Sequence, residues 1–267
     1  MTILHNSEDL HEEFLEKEGI GLLIYFLNKI DAFLSYISCK CFVLLSRNEK
    51  NMKFICKKSI YNKIFNCSME KDLRILKEGI RFLINLYIHG MRKKSILNFL
   101  CLLIDKGLQE KESDVLNLSL FCLMIISENE QNHSFILNNE RSLLKNLADI
   151  SSEEIMQFSL FYTTFLMNFS MNPKNGDYLL ELKFVNRLRE IVNNVDENCH
   201  CYIQTFISHI IRLSINFDFI QYDKNIFFEI VYILEHFFKF SSSFINFDFK
   251  CHFLLKILLL FICWSIF

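Results

Sequence analysis

The chain has 267 residues, of which 51% are hydrophobic and 15% aromatic, with 29 Phe but one Pro and six Gly. Charged residues make up 22% and the formal net charge is −2, a balance that lacks the basic excess of a dedicated nucleic-acid binder. Ten Cys follow a polar, acidic start, MTILHNSEDLHEEFLEKEG, which has no secretory pattern, so free thiols in a reducing, cytoplasmic setting are expected. The wealth of Asn, Lys, Ile and Phe reads in part as the imprint of an AT-rich genome.

Helical spacing of apolar residues, three and four apart, runs through the chain from its first third onward. Phe14-Leu15 reads as the tail of a unit, and GIGLLIYFLNKI (19–30) as an amphipathic or buried helix. Long helices are predicted at 34–46, 73–88, 114–127, 154–170 and 200–214, with shorter ones between them at 54–65, 95–107, 134–149 and 177–193. Ser151-Ser152-Glu153-Glu154 offers a Ser cap with acidic residues in the first turn, where they offset the helix dipole. Asn172-Pro173 marks a break, since Pro disfavours helix at the residue before it. A further helix is expected at 226–240, ahead of the apolar stretch CHFLLKILLLFICWSIF (251–267). The array is drawn as 1–240 and the apolar segment as 241–267.

Laid against one another, LLSRNEKNMKFI (44–55), NLYIHGMRKKSI (85–96), IISENEQNHSFI (125–136), NFSMNPKNGDYL (168–179) and RLSINFDF (212–219) repeat one phrase. Their anchors are Ser46, Tyr87, Ser127, Ser170 and Ser214, 41, 40, 43 and 44 residues apart. Four residues before the anchor come Phe42, Leu83, Leu123, Leu166 and Ile210. One residue before it come Leu45, Leu86, Ile126, Phe169 and Leu213. Nine after the first four anchors come Ile55, Ile96, Ile136 and Leu179. A period near 40–47 with helical spacing is the signature of an armadillo or HEAT type array, and the fold class is all-α, a right-handed α-solenoid of about five repeats.

The stretch TTFLMNFSMNPKNGDYLLE (163–181) resembles the armadillo repeat, in which a third helix ends in a Leu-Asn-Leu-Ser-like phrase before an Asn-containing turn. The pattern returns at 34–56, 75–97 and 116–138, so the resemblance covers about residues 14–215. It implies that third helices line a concave groove for extended peptides or partner helices. Import receptors of this family carry Asn and Trp ladders on that groove. The matching Asn positions here hold Leu44, Asn85, Ile125, Asn168 and Arg212. The matching Trp positions hold Lys40, Arg81, Phe121, Thr164 and Ser208, and importin-like cargo binding is not expected. Residues 116–222 are also similar to a ciliary basal-body armadillo protein whose family carries a LisH motif, absent here.

The expected function is a non-catalytic protein-binding scaffold, with no cofactor. Its partner-binding residues are Lys40, Arg81, Asn85, Phe121, Thr164, Asn168, Ser208 and Arg212, set against the bland reading that they are solvated polar positions. Three cations, Lys40, Arg81 and Arg212, without an acidic residue among the groove positions point to an acidic or neutral protein segment, extended or helical. Lys57-Lys58 and Arg92-Lys93-Lys94 read as solvated turns. Cys39-Lys40-Cys41, Cys199-His200-Cys201 and Cys251-His252 invite a metal reading, but residues two apart on a helix point to different faces, and packed cysteines are expected instead. A helical enzyme with a His or Cys site is one competing class. A membrane-tethered adaptor is the other, although 251–267 holds about fifteen apolar-dominated residues where a spanning helix needs roughly twenty, so a buried last helix or a gene-model artefact of an AT-rich intron is expected ahead of a tail anchor. The ciliary base is the finer expectation for location.

Overall fold

The computed structural model describes residues 9–16, 18–28, 31–70, 72–138, 142–194, 199, 201–203, 205–207, 210, 229–230 and 232–233. Among these, every regular element is helical. Repeat one holds α1 (Asp9–Glu16), α2 (Gly19–Leu27) and α3 (Ala32–Ser46). Repeat two holds α4 (Met52–Ile55), α5 (Lys58–Glu70) and α6 (Leu73–Ile88). Repeat three has α7 (Lys94–Glu110) and α8 (Ser113–Ser127). Repeat four has α9 (His133–Asn138), α10 (Ser142–Ala148), α11 (Ser152–Gln157) and α12 (Ser159–Ser170). Repeat five opens with α13 (Gly176–Glu181) and α14 (Phe184–Ile191).

Two layers follow from the packing. The third helices α3, α6, α8 and α12 lie side by side, and α2, α5, α7 and α10 form the second row. The predicted anchors build the seam between them. Phe42, Leu83, Leu123, Leu166 and Ile210 are fully buried, as are Leu45, Leu86, Ile126 and Phe169 and, nine after the anchors, Ile55, Ile96, Ile136 and Leu179. Each such side chain contributes about 1.5–3 kcal/mol, and a lone repeat could not bury it. All-helical architecture and repeat register therefore match the sequence expectation.

Boundaries differ in five places. Repeat one is a whole unit rather than a tail, because Asp31 caps α3 by accepting from Phe33 N and Leu34 N just as Asp72 caps α6 through Arg74 N and Ile75 N. The expected helix 54–65 is split between α4 and α5, and 134–149 and 177–193 divide likewise into first and second helices of three-helix units. The long helix 154–170 bends at Phe158, a residue with φ −126° that closes α11 and starts α12. The Ser151 cap forms a full capping box with Glu154, and the Asn172-Pro173 break is a 3-10 turn over Pro173–Asn175.

Repeats end on a shared Asn-x-x-Asn device. Asn48, Asn129 and Asn172 accept from the N–H two residues on, at 2.9, 3.0 and 3.1 Å. Three residues later, Asn51, Asn132 and Asn175 are buried and donate to the carbonyls of Leu45, Ile126 and Phe169 at 2.9, 2.8 and 2.7 Å. These are orphan carbonyls of a helix C-terminus, which need a partner when buried. Repeat two has Arg92 in that place and solves the problem with backbone. Gly90, at φ 86°, lets Met91 N reach Leu86 O at 2.9 Å and Gly90 N reach Tyr87 O at 3.1 Å, a Schellman ending. Repeat three consequently enters α7 with no separate first helix.

Candidate partner-binding face

The face of the third-helix layer that looks away from the core is a stripe of positions spaced three and four apart, as helical geometry requires. On α3 it holds Phe33, Tyr36 and Lys40, while Leu44, the next step along, is buried in the core. On α6 it holds Arg74, Lys77, Arg81, Asn85 and Ile88. On α8 it holds Asp114, Asn117, Phe121 and Ile125. On α11–α12 it holds Leu160, Thr164, Asn168 and Met171. Lys40, Arg81, Phe121 and Thr164 are each half-buried on this stripe. Ser208 and Arg212 lie outside the described residues.

The two asparagines of the predicted set turn inward. Asn85 donates to Ser46 Oγ at 2.9 Å and Asn168 donates to Ser127 Oγ at 3.3 Å, in each case the anchor of the preceding repeat. Those anchor hydroxyls themselves donate back to Val43 O and Met124 O, both at 2.8 Å. Where the anchor is Tyr87, the following position is apolar Ile125, and the Tyr87 hydroxyl instead accepts from Asn132 at 2.7 Å. Asn168 is 7% exposed and Asn85 half-buried, so part of their hydrogen-bonding capacity serves stacking.

Charge on the stripe is largely matched. Arg81 pairs with Glu78 at 2.9 Å, its own side chain 41% exposed above a carboxylate that is 5% exposed. Lys77 pairs with Asp114 of the next repeat, and Arg74 with Asp72 at 2.7 Å. The Arg74 guanidinium, bonding to Asp72, holds that carboxyl below its usual range, and the Lys77 ammonium does the same for Asp114. The Lys40 ammonium reaches the Tyr36 hydroxyl at 3.4 Å, and Arg74 lies 5.6 Å over the same ring. The acids escape a reading confined to two positions per repeat, because Glu78, Asp114 and Asp72 sit three, seven and nine residues before Arg81, Phe121 and Arg81 respectively.

Apolar side chains also line the stripe. Phe121 meets Phe161 edge to face at 5.5 Å, and half-buried Leu118, Met124 and Ile125 flank them. Phe33, Ile88, Leu160 and Met171 are 60, 52, 44 and 55% exposed. These four were missed, although continuing the three-and-four spacing outward from Lys40, Arg81 and Thr164 reaches every one.

Cys39 and Cys41 are buried, Cys199 is buried with its thiol toward Ser159 Oγ at 3.4 Å, and His200, Cys251 and His252 lie outside the described residues. Among the described residues no group of three His, Cys, Asp or Glu is placed to hold a metal. Burial pushes the Cys101 thiol up to about 12, away from nucleophilic form. A shallow pocket off the stripe, between α10 and α13–α14, is lined by charges including Lys145, Asp149, Lys183, Arg187 and Glu190, and its described lining has no His or Cys. Among the described residues no helix is long and apolar enough to cross a membrane, and 251–267 lies outside them.

No protein-family model and no curated protein matches the sequence. Solved structures do. A designed armadillo repeat protein aligns at TM-score 0.60 and 12% identity, over 78% of this chain and 89% of the other. A second, solved in complex with the peptide (KR)4, aligns at TM-score 0.61 and 13% identity over the same shares. An engineered protein gives TM-score 0.61 and 13% identity over 79% of this chain and 87% of its own. At such identities the likeness speaks for the fold alone: this chain is an armadillo-like α-solenoid.

Proposed function

We propose that the chain is a protein-binding scaffold without catalysis of its own, and that the concave face of its third helices is the binding surface. The observation that carries this reading is the exposure of Phe33, Ile88, Leu160 and Met171 along one stripe of the third helices. Large apolar side chains there add nothing to inter-repeat packing, and exposed apolar patches mark interaction surfaces. Solenoids commonly use the concave face in this way. One structural neighbour's binding of a peptide supports a protein segment as ligand. The segment proposed is neutral or acidic. Lys40 and Arg81 offer donors, while the matched ion pairs keep the surface from a strong field of either sign. Apolar anchors of the segment would sit on Phe121, Leu160 and Phe161, with its backbone near the polar positions. The ciliary base is retained as the proposed location.

Proximity labelling in the native cell, with wild type against Lys40→Glu/Leu160→Asp, tests function and location together. Proteins enriched by wild type and lost with the variant are expected, basal-body proteins among them. Identical profiles for a correctly folded variant would remove the concave face from the proposal, and a profile without basal-body proteins would remove the location alone.

A further inference from the structure

The tetrapeptide Lys-Lys-Ser-Ile occurs twice, at 57–60 and 93–96, and each copy opens a helix of the second row: Lys58 is the first residue of α5 and Lys94 that of α7. The two starts lie side by side, with the Tyr61 hydroxyl hydrogen-bonded to Ser95 Oγ at 3.2 Å. Burial raises the Cys56 thiol, and the Lys93 ammonium stands close enough to offset part of that rise. Lys57, Lys58, Arg92, Lys93 and Lys94 are all exposed, and none has a carboxylate partner among the described residues. On the third helices, by contrast, Arg74, Lys77 and Arg81 are each paired. Residues 44–64 and 86–101 together hold nine Lys and Arg against the carboxylate of Glu49, in a chain whose formal net charge is −2.

These charges do not serve the helices that carry them. A cation at a helix N-terminus meets the positive end of the dipole, and α5 and α7 close on exposed Glu70 and Glu110 at the negative end. The opposite edge, where the third helices start, carries Asp31, Asp72, Glu112 and Asp114. Across the 17 residues of α7 the two edges stand about 25 Å apart, more than two Debye lengths at about 0.1 M salt, so the acids do not cancel the cations. We infer that the basic edge docks on a lipid bilayer bearing anionic headgroups. Three observations select that partner. The cations sit on turns and helix ends, an edge that meets a plane, whereas strands of nucleic acid are held in basic grooves. Four of the five are Lys, a point charge without the fork that singles out one carboxylate or phosphate. Half-buried Phe54 and Met91 lie among them, with Lys53 4.7 Å over the Phe54 ring, and offer apolar tips to the headgroup layer.

Co-sedimentation of the full chain with phosphatidylcholine vesicles, with and without about one-third phosphatidylserine, reads the docking directly. Binding to the anionic vesicles alone is expected. It should vanish as salt rises from about 0.1 M to about 1 M, where the Debye length falls to about 3 Å. Each Lys near such a surface is worth about a fivefold change in partition, so Lys57→Gln/Lys93→Gln should weaken binding about twentyfold. Lys111→Gln/Lys145→Gln removes as much charge away from this edge and should change it less than about threefold. The first pair should not lower the melting midpoint, since neutralising a cation at a helix N-terminus relieves the dipole. Equal binding to neutral vesicles overturns the inference, as does equal loss in the two paired variants. Tighter binding to single-stranded RNA or polyglutamate than to the anionic vesicles at the same salt overturns it too, and assigns the edge to another polyanion.

Discussion

Asn175 and His133, one repeat apart, are joined through their side chains: Asn175 Nδ2 donates to His133 Nδ1 at 2.9 Å, while His133 Nε2 donates to Ser127 O at 2.8 Å. The imidazole must therefore be neutral, with its proton on Nε2. Burial is the main force lowering its pKa below the usual histidine range, against opposing contributions from the Ser127 carbonyl and Glu130. A proton on Nδ1 would face the Asn175 amide hydrogens and sever the bond between repeats.

The pH consequence has a definite sign. In the unfolded chain His133 takes a proton as pH falls below about 6.5, while the folded chain resists until a lower pH. Over that window the unfolded state binds more protons, so stability rises with pH. The contribution is complete above about 6.5 and is lost as pH falls toward the folded value. Melting midpoints recorded from pH 8 to pH 5 should drop more steeply for wild type than for His133→Gln. Parallel curves would show that the array's acid sensitivity lies elsewhere.

The Asn-x-x-Asn endings give a second prediction. Asn132→Ala or Asn175→Ala leaves the Ile126 or Phe169 carbonyl buried without its donor, at a cost of about 1–3 kcal/mol by chemical denaturation. In repeat two the sensitive residue is Gly90 instead, whose φ of 86° strains any residue with a Cβ. Gly90→Ala should destabilise by about 1 kcal/mol or more, whereas Arg92→Ala should cost under about 0.5 kcal/mol.

Close helix contacts give a third. A Cβ on Gly79 would lie 1.9 Å from Ser68 Oγ and 2.7 Å from its Cβ. Gly79→Ala should cost about 1–3 kcal/mol through overpacking between α5 and α6. Adding Ser68→Gly relieves the clash, and the double variant should recover part of the loss. Additive losses would contradict the contact.

Core and face separate cleanly in a fourth. Leu166 and Ile126 are fully buried, so Leu166→Asp or Ile126→Asp places an unpaired charge between repeats and should unfold the array. Leu160→Asp, at a side chain 44% exposed, should leave the helical signal unchanged and the unfolding free energy within about 0.5 kcal/mol of wild type. A folded Ile126→Asp protein with unchanged melting would break the repeat register.

The array was legible because its core positions recur with helical spacing, and every predicted apolar anchor within the described residues is fully buried. The first repeat was misjudged as a tail, although Asp31 and Asp72, 41 apart, already marked two equivalent helix starts. Asparagine abundance reads in part as genome composition, yet the pairs Asn48 and Asn51, Asn129 and Asn132, and Asn172 and Asn175 cap turns and satisfy carbonyls. The groove positions were legible as a face but not as chemistry. Whether Asn85 points out or into Ser46 of the preceding repeat depends on the distance between helices, which periodicity does not contain. The same limit hid Glu78 beneath Arg81. It also changes how the face should be probed: reversing Arg81 would strand a buried carboxylate beside a like charge, so Lys40 and Leu160 are the cleaner sites.

Binding of the partner on the concave third-helix face is read out by calorimetric titration of a purified partner from the labelling experiment against two matched variants. One carries Lys40→Glu/Leu160→Asp on the third helices, and the other carries Asn66→Asp/Asn98→Asp at exposed positions of α5 and α7. The first should weaken binding at least about thirtyfold, as expected for the loss of a central anchor, and the second less than about threefold. Binding that survives the first variant and fails with the second would place the partner on the second row of helices and remove the third-helix face as its site.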